Sequence, residues 1–347
     1  MELSELLATA VKREASDLHL SPKLPPLLRI DGELEPIAGK PALDASQTKE
    51  LIYGVLNADQ KHEFEEKWEI DFSTEVKGVA RFRVNVFSQM HGIAAVFRVI
   101  PEAIPTLDEL DFPPVFKQLL DLPNGIILLT GPTGSGKSTT LAAMVDYINQ
   151  NKACHIITIE DPIEFTHTSK RSLINQREVH KDTHDFATAL RSALREDPDV
   201  ILVGEMRDLE TIRLALTAAE TGHLVMATLH TSSAPRTVNR IIDVFPAGEK
   251  DMIRSMLSES IQAVICQTLV KKSAGGLVAA LEIMLGTTSI RNLIREDKVA
   301  QMYTAMQIGN EVGMRTLDQF LQILVSKNII TKEIAREAAI NKATFPA

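Results

Sequence analysis

The sequence predicts a two-domain α/β protein, with a small α+β domain followed by a larger domain built on a doubly wound parallel sheet. The chain has 347 residues, which suggests about two domains. From Ile126 onward, short apolar runs alternate with helical patterns, as they do where helices join parallel strands. Before about residue 100, three strand-like runs follow one another, and this grouping favours an α+β domain.

The overall composition is globular and acidic. Hydrophobic residues make up 44% and charged residues 24%, and apolar runs such as Val200 to Val203 are far shorter than the ~18 residues of a membrane span. The start, MELSELLATAVKREASD, does not resemble a secretion signal, so we expect a cytosolic location. The formal net charge of −9 makes nucleic acid an unexpected partner, although a local basic channel would escape this test.

Cysteine and histidine spacings do not predict a zinc site. Cys154 and Cys266 are the only cysteines, and neither belongs to a C-x-x-C pair. His180 and His184 have the spacing of a metal pair, but no glutamate lies between them and Asp185 follows as a helix cap. We therefore expect no stable zinc and no disulfide framework.

The elements of the first domain follow from its apolar patterns. Leu3, Leu6 and Leu7 share one face of a first helix, and Asp31-Gly32 is a strong hairpin signal. The expected elements are a helix from Glu2 to Arg13, strands from Asp17 to Leu20 and Pro26 to Ile30, two short helices across Gln47 to Lys67, and strands from Glu69 to Glu75, Ala80 to Ser88 and Ala94 to Ile100.

A proline-rich linker leads to a phosphate-binding loop. The linker contains Pro101, Pro105, Pro113, Pro114 and Pro123, with a short helix from Val115 to Leu122. After it, IILLTGPTGSGKSTT gives a buried strand, the pattern G-x-x-x-x-G-K-[ST] and the start of a helix. That order of strand, loop and helix is the context that the motif requires.

The loop has the residue types that hold ATP and Mg²⁺. Gly131, Gly134 and Gly136 let the backbone turn its N–H groups toward a polyphosphate. Lys137 carries a positive charge to the β- and γ-phosphates, and the hydroxyl of Ser138 is placed to ligate Mg²⁺. The predicted nucleotide-binding residues are Gly131, Thr133, Gly134, Ser135, Gly136, Lys137, Ser138 and Thr139.

Strands and helices alternate after the loop, and the chain then becomes mainly helical. We expect a strand from Ile156 to Ile159, a short strand from Ser172 to Asn175, a helix capped by Asp185 and ended by Pro198, a strand from Val200 to Val203, a helix from Asp208 to Thr221, a strand from Leu224 to Leu229, a helix from Ala247 to Leu269, a hairpin at Gly275-Gly276 that returns to Leu277 to Met284, and helices to the end.

Acidic residues at strand ends are the candidates for the chemistry of hydrolysis. Glu205 is the candidate Mg²⁺-site acid, although Gly204 stands where the aspartate of a usual Walker B motif would be. Glu164 is the candidate catalytic base, with Glu160 and Asp161 as rivals.

Two histidines and three arginines complete the candidates. His230 ends a strand expected beside the loop strand, where it could sense a γ-phosphate, whereas His223 begins that strand and should lie farther away. Arg81, Arg83 and Arg98 form a basic sheet face that is either simply solvated or, in a ring-shaped ATPase, reaches the phosphates bound by the next subunit.

Several motifs together resemble the secretion-superfamily ATPases. GPTGSGKST, IEDPIEF, ILVGEMRD and TGHLVMATLHT resemble the Walker A, aspartate, atypical Walker B and histidine boxes of that family, and SIRNLIREDKVAQM resembles the signature of its PilT type, the type IV pilus retraction ATPases. The resemblance covers nearly the whole chain. It implies a PAS-like N-terminal domain (1–100), a linker (101–115), a RecA-like ATPase core (116–288) and a C-terminal helical region (289–347).

The resemblance also assigns roles. It implies that Glu164 is the catalytic base, Glu205 the Walker B acid, and His223 and His230 the box histidines. The signature residues are Arg291, Asn292, Leu293, Ile294, Arg295 and Glu296, among which we expect Arg291 and Arg295 to lie on an exposed helix face. Asn124, where an arginine is usual, and Ser289, where an alanine is usual, depart from the family pattern.

Three functions are compatible with these motifs. The first is a homohexameric motor at the cytoplasmic side of the inner membrane that retracts pili, with a membrane platform protein and an accessory retraction ATPase as partners. The second is a related assembly or secretion ATPase, which usually carries a longer N-terminal region and a tetracysteine zinc motif. The third is a non-catalytic nucleotide-dependent switch, against which Lys137, Glu164 and Glu205 argue.

Overall fold

The computed structural model describes residues 2–30, 32–100 and 103–346. The chain divides into two compact units, the first formed by Met1–Ala103 with Pro162–Thr166 and the second by Ile104–Asp161 with His167–Ala347. The first unit therefore includes a short segment from inside the region expected to form the ATPase core. The expected hairpin residue Asp31 and the first linker proline, Pro101, lie outside the described residues.

The first unit is an α+β fold with one antiparallel sheet. Its elements are α1 (Leu3–Lys12), β1 (Asp17–Leu20), β2 (Leu27–Ile30), β3 (Glu33–Pro36), α2 (Ala45–Tyr53), α3 (Ala58–Lys67), β4 (Glu69–Val76), β5 (Ala80–Gln89) and β6 (Gly92–Ile100). The strand order is β3-β2-β1-β6-β5-β4. Capping boxes at Asp44 and Asn57 fix the starts of α2 and α3.

Alternation of apolar and polar residues gives this sheet one buried and one polar face. Phe82, Val84 and Val86 of β5 are fully buried, while Arg81 and Arg83 point to the other face. Leu6 and Leu7 of α1 enter the same core. The sheet therefore presents arginines on the face opposite its core.

The second unit is built on a seven-stranded sheet. Its elements are α4 (Val115–Leu120), β7 (Gly125–Thr130), α5 (Lys137–Asn151), β8 (His155–Glu160), β9 (Leu173–Glu178), α6 (Phe186–Ala193), β10 (Val200–Val203), α7 (Leu209–Glu220), β11 (Leu224–Leu229), α8 (Ala234–Asp243), α9 (Lys250–Ser260), β12 (Ile261–Lys271), β13 (Leu277–Leu285), α10 (Thr288–Arg295), α11 (Met302–Ile308), α12 (Leu317–Ser326) and α13 (Lys332–Ala338). The strand order is β13-β12-β7-β11-β10-β8-β9, with only β13 antiparallel to its neighbour.

Both faces of this sheet are covered, as a parallel sheet requires. Along β7, Ile126 and Leu128 join one core with residues of α6 to α10, while Ile127 and Leu129 join a second core with residues of α4, α5, α12 and α13. Every residue of β7 is buried. None of the helices in the described part of the chain has both the length and the apolar character that a membrane span needs.

The prediction of one long helix from Ala247 to Leu269 is wrong in its second half. The helix α9 ends at Ser260, and β12 begins at Ile261 and pairs with both β7 and β13. The apolar residues after Ser260 fit either a helix face or a strand buried on both sides, and pairing with the loop strand decides between them. The sequence prediction also omitted α8, which starts at the N-cap Ser233.

Hydrogen bonds and an ion pair hold the segment that leads into β9 against the side of α5. Asp146 accepts hydrogen bonds from Lys170 Nζ at 2.8 and 3.0 Å, and Asn149 Nδ2 donates to the carbonyl of Thr168 at 2.9 Å. His167 lies in this segment, and its main-chain N–H donates to Gln176 Oε1 at 2.7 Å. The helix that follows the phosphate loop is thus tied to the segment that follows the aspartate box.

This segment makes stability depend on pH. Burial lowers the pKa of His167 to about 4, the charge of Asp146 opposes the shift, and the charge of Lys170 adds to it. Because the unfolded histidine, with a pKa of about 6.5, binds the proton more readily, stability falls as the pH drops from 6.5 toward 4. Between pH 7 and pH 5 we expect His167 to lower the stability by about 2 kcal/mol, a contribution that His167→Gln removes.

Urea denaturation of the wild type and His167→Gln at both pH values measures this difference, with His62→Gln at an exposed position as the matched control. Equal pH dependence in the wild type and His167→Gln would contradict the assignment.

Candidate nucleotide site

The strand β7 delivers the chain into a tight loop that ends on a helix. The loop, residues 131–136, lies between β7 and α5, and Gly131, Gly134 and Gly136 all have positive φ, at 140°, 77° and 83°. A Cβ on Gly131 would lie 2.2 Å from the carbonyl oxygen of Gln267, so only glycine fits there. The helix N-terminus and the loop amides form the kind of site that binds phosphate.

Lys137 lies against this loop. Its side chain is buried, and its Nζ donates to the carbonyls of Gly131 at 2.9 Å and Pro132 at 3.0 Å. Ser138 and Thr139 follow in the first helical turn and are half-buried, while Thr133 and Gly134 are exposed at the tip. The lysine ammonium and the loop amides therefore lie together at one end of α5.

The loop also contains a buried hydroxyl that fits a polar ligand. Ser135 Oγ is buried and makes no hydrogen bond within residues 2–30, 32–100 and 103–346. A buried polar atom without a partner carries a free-energy cost that a bound oxyanion would remove. Gly134 at the tip of the loop has positive φ and open space where a Cβ would be. These features fit a polyphosphate.

Glu205 and His230 lie together at the carboxyl ends of β10 and β11. His230 Nε2 lies 3.2 Å from Glu205 Oε1, and Arg207 Nε lies 2.6 Å from the same oxygen. Burial raises the pKa of Glu205, but the hydrogen bond from Arg207 and the charges of Arg207 and His230 outweigh it and lower that pKa. The group is therefore an ionised carboxylate held between two nitrogen donors.

The place of Gly204 in this motif has a steric reason. A Cβ there would lie 3.1 Å from the carbonyl oxygen of Ile159 and 3.2 Å from Glu160 Cα, because β8 passes close by. The N–H of Gly204 donates to the Ile159 carbonyl at 2.7 Å, and Thr228 Oγ1 donates to the Gly204 carbonyl. The backbone of β8 thus leaves little space for a side chain at the first position after β10. The acidic residue of the motif, Glu205, comes one position later.

The three carboxylates of the aspartate box have different surroundings. Glu160 Oε1 accepts from Thr158 Oγ1 at 2.6 Å and from Gln176 Nε2 at 3.2 Å. Asp161 is exposed, and its charge acts on Arg207. Glu164 belongs to the first unit, where its Oε1 lies 3.9 Å from Arg83 Nη1. Each of the three candidates therefore has its own local surroundings, and the carboxylate of Glu160 is held by two side-chain hydrogen bonds.

The three candidate arginines share the polar face of the first unit's sheet. Arg83 lies directly opposite Arg98 on the neighbouring strand, an arrangement of like charges that is unfavourable unless it is compensated. Asp71 binds Arg83 at 2.7 Å, and the buried Asp17 binds Arg98 at 2.8 Å. Arg81 Nη1 donates to Thr166 Oγ1 at 3.2 Å. All three are held in place by local partners.

The two box histidines lie at opposite ends of β11. In the register with β7, Leu224 pairs with Gly125 and Leu229 with Thr130, so His230 lies beside the start of the loop and His223 at the far end. His223 Nδ1 lies 2.9 Å from the carbonyl of Ala218. Within the second unit, His223 is therefore part of the end of α7 and not of the loop.

On the signature helix α10, the expected exposure of Arg291 is wrong. Ile290 and Ile294 are fully buried and Leu293 packs beside them, as the apolar stripe predicts. Arg291, expected on an exposed face, instead donates to the carbonyls of Gly286 at 2.7 Å, Ser258 at 3.0 Å and Glu259. Burial lowers the pKa of Arg291, and the charge of Glu259 opposes this shift. Asn292, Arg295 and Glu296 are exposed.

Arg291→Ala should therefore destabilise the second unit, because it leaves several carbonyls at the end of α9 without their donor. We expect a loss of about 1–3 kcal/mol, or a melting temperature lower by roughly 3–8 °C. Arg295→Ala is the matched control, since its side chain makes only 3.3 Å contacts with Asn292 and Ser258. Thermal melting followed by circular dichroism measures both, and equal melting temperatures would contradict the assignment.

Two residues of the site were not identified from the sequence. Arg207 stands inside ILVGEMRD, and its spacing from Glu205 on an irregular segment gave no pattern that predicts contact. Gln267 fell inside the incorrectly predicted helix, but it lies on β12 beside the loop and its Nε2 donates to the Ser135 carbonyl at 2.7 Å. If this segment had been predicted as a strand that pairs with β7, Gln267 would have been placed beside the phosphate loop.

Comparisons with known proteins identify the family of the chain. A family model described as type II/IV secretion system protein matches residues 2–276. The type IV pilus retraction ATPase PilT of Pseudomonas aeruginosa is 63% identical over 339 residues, 98% of this chain and 98% of that protein. A twitching motility protein of Neisseria gonorrhoeae is 56% identical over 321 residues, 92% of this chain and 86% of that protein.

A solved structure extends the similarity to the fold. The crystal structure of the pilus retraction motor PilT with bound ADP matches with a TM-score of 0.92 at 48% identity, covering 99% of this chain and 98% of that one. That match runs through both units, with the α+β unit first and the RecA-like unit second. The chain therefore belongs to the type II/IV secretion system protein family, within its PilT type.

Proposed function

We propose that this chain is a P-loop ATPase that hydrolyses ATP to drive type IV pilus retraction, and with it twitching motility. The observation that carries the proposal is a complete phosphate loop, with Lys137 at its base, in a chain similar over its whole length to a retraction ATPase. A switch that only binds nucleotide would not need Glu164, the acid proposed here as the catalytic base. The proposal therefore names a motor.

The loop residues bind the nucleotide in this proposal. Backbone amides of residues 131–136 and the N-terminus of α5 hold the phosphates, and Lys137 neutralises their charge. Ser138 and Glu205 supply the oxygens that would hold Mg²⁺, which neutralises charge on the β- and γ-phosphates when bound. Because Glu205 is ionised, it can serve this purpose at neutral pH.

Glu164 acts as the catalytic base, and His230 and Arg207 position Glu205. In a homohexameric ring, Arg81, Arg83 and Arg98 of one subunit stabilise negative charge on the phosphates bound by the next. The pairing of Arg83 with Asp71 and of Arg98 with Asp17 supports this role, because arginines with fixed orientation lose less freedom when they bind an anion.

The proposal extends to the domains of the motor and its place in the cell. We propose a PAS-like domain at 1–100, a linker at 101–115, a RecA-like core at 116–288 and a helical region at 289–347. The ring lies at the cytoplasmic side of the inner membrane, on a pilus platform protein, and works with an accessory retraction ATPase.

Complementation tests the function. The gene should restore twitching to a Pseudomonas aeruginosa strain that lacks its retraction ATPase, and the purified protein should hydrolyse ATP. Hydrolysis without restored twitching, together with an increase of surface pili in a strain that lacks its assembly ATPase, would favour the assembly function. Nucleotide binding without hydrolysis would favour the switch.

The exposed side of α10 provides a test of coupling between hydrolysis and retraction. Asn292 and Glu296 lie one turn apart on it, outside the apolar contacts of Ile290 and Ile294. We expect Asn292→Ala with Glu296→Ala to keep ATPase activity within about twofold, since exposed substitutions rarely change stability by more than about 0.5 kcal/mol. Cells with this double change should carry surface pili and show no twitching.

A matched control uses two exposed acids one turn apart on another helix, Glu333→Ala with Glu337→Ala on α13. That variant should hydrolyse ATP and support twitching. Normal twitching in cells with the α10 variant would refute a coupling role for Asn292 and Glu296. Loss of ATP hydrolysis would instead show that these two residues are needed for the ATPase activity.

A further inference from the structure

Gln267 is a buried polar residue that the proposed mechanism does not use. It is 2% exposed and lies on β12, one residue beyond Cys266, which pairs with Thr130 at the end of β7. Gln267 is therefore level with the first residue of the phosphate loop. A buried amide on a mostly apolar strand needs partners for both its groups.

Both groups of this amide are satisfied by the loop and the first turn of α5. Nε2 donates to the carbonyl of Ser135 at 2.7 Å, and Oε1 accepts from Thr140 Oγ1 at 2.8 Å. Only the NH₂ group can satisfy a carbonyl oxygen, so the contact with Ser135 determines which way the amide faces. Thr140 lies on α5, is 1% exposed, and supplies the hydroxyl that binds the oxygen of this amide.

The contact with the Ser135 carbonyl has a consequence for the next amide. A trans peptide unit is planar, and its C=O and N–H point in opposite directions. When the carbonyl of Ser135 is drawn toward Gln267, the N–H of Gly136 in the same peptide unit is turned away from β12. That N–H is one of the loop amides expected to meet a phosphate.

The close fit between Gln267 and the loop supports a fixed orientation. A Cβ on Gly136 would lie 2.9 Å from Gln267 Nε2, and one on Gly131 would lie 2.2 Å from the Gln267 carbonyl oxygen. The close approach of the Gln267 backbone thus requires glycine at Gly131, and the amide of Gln267 lies against Gly136. The loop lies directly on β12 at both of its ends.

We propose that Gln267 is a positioning residue for nucleotide binding, which holds the Ser135–Gly136 peptide so that the Gly136 N–H faces the polyphosphate. Thr140 keeps the amide of Gln267 in the required orientation. The binding of ATP and ADP therefore depends on a side chain from a strand outside the loop and its helix. This inference rests on the nucleotide-binding role proposed above for the loop.

Three variants test this role. Gln267→Met keeps the length of the side chain and removes both polar groups, Thr140→Val removes the hydroxyl at nearly constant volume, and Thr140→Ser keeps the hydroxyl. The measurements are KM and kcat for ATP, the Kd of a fluorescent ADP analogue, and the melting temperature of the nucleotide-free protein. A role in overall stability alone would change the melting temperature without changing KM.

We expect Gln267→Met to raise KM and the ADP Kd about tenfold, the size of one lost hydrogen bond to a charged group, with a smaller change in kcat. Thr140→Val should raise both about threefold or more, and Thr140→Ser should stay within about twofold of wild type. The double variant Gln267→Met with Thr140→Val should bind no more weakly than Gln267→Met alone, because the two residues act through one contact.

Several outcomes would overturn the proposal. One is an unchanged KM in folded Gln267→Met, and another is equal KM in Thr140→Val and Thr140→Ser, which decides the question even if Gln267→Met does not fold. Wild-type protein that binds no nucleotide would overturn the proposed function together with this inference. Wild-type binding with unchanged KM in the variants would overturn this inference alone.

Discussion

Replacing Lys137 by alanine should abolish measurable ATP hydrolysis and weaken nucleotide binding by at least about tenfold. Lys137 is a buried cation at the end of a loop whose other binding groups are neutral amides. Its Nζ lies within hydrogen-bond distance of the loop carbonyls, which places the charge where the β- and γ-phosphates are expected. Removing it leaves phosphate charge uncompensated in both the ground state and the transition state.

Lys152→Ala is the matched control for this prediction. Lys152 stands at the other end of the same helix, and its Nζ donates to the carbonyl of Leu120 at 2.6 Å. This variant should hydrolyse ATP at a rate close to wild type. Steady-state hydrolysis, a fluorescence titration with an ADP analogue and a melting curve compare the two. If folded Lys137→Ala hydrolyses ATP at a rate within about tenfold of wild type, Lys137 is not part of the catalytic site.

The phosphate loop could be predicted because its information is local. Gly131 and Lys137 are six residues apart and interact directly, and the apolar run before them fixes the strand. The same holds for a helix cap: Asp185, predicted to cap a helix, accepts from the N–H of Thr188 three residues later. Where partners are neighbours within a regular motif, such as a phosphate loop or a helix cap, the residue types predict the local structure.

The position of Gln267 could not be predicted in this way. Its contact with Ser135 joins residues 132 positions apart, and it depends on β12 pairing in parallel with β7. The apolar residues around Gln267 fit a buried helix as well as a strand, so periodicity does not choose between the two. Pairing with β7 on one side and with β13 on the other makes this segment a strand.

Arg291 illustrates the same limit on α10. The spacing of Ile290 and Ile294 correctly predicts the buried face of the helix. An arginine beside that face is expected to be solvated, since arginine is rarely buried without partners. The carbonyls at the end of α9 supply those partners, and their position depends on where α9 stops and β12 begins. The apolar stripe of α10 by itself therefore could not predict that Arg291 is held by the end of α9.

Glu164→Gln should keep nucleotide binding and lower kcat by about 10²–10⁴-fold, the usual contribution of a general base. The amide keeps the size and hydrogen-bonding shape of the carboxylate but cannot take a proton from water. KM for ATP should change little, because the base acts in the transition state and not on bound phosphate. Single-turnover hydrolysis with a parallel binding titration measures the two effects separately.

Glu160→Gln is the control that the structure provides. Glu160 is four residues away in the same acidic box, and its Oε1 already accepts hydrogen bonds from Thr158 and Gln176. A glutamine can keep these contacts through its own oxygen, so kcat should remain within about tenfold of wild type. If Glu160→Gln instead shows the large loss and Glu164→Gln does not, the base is Glu160. If both variants turn over normally while Glu205→Gln does not, Glu205 activates the water, and its contacts with His230 and Arg207 then belong to the catalytic step.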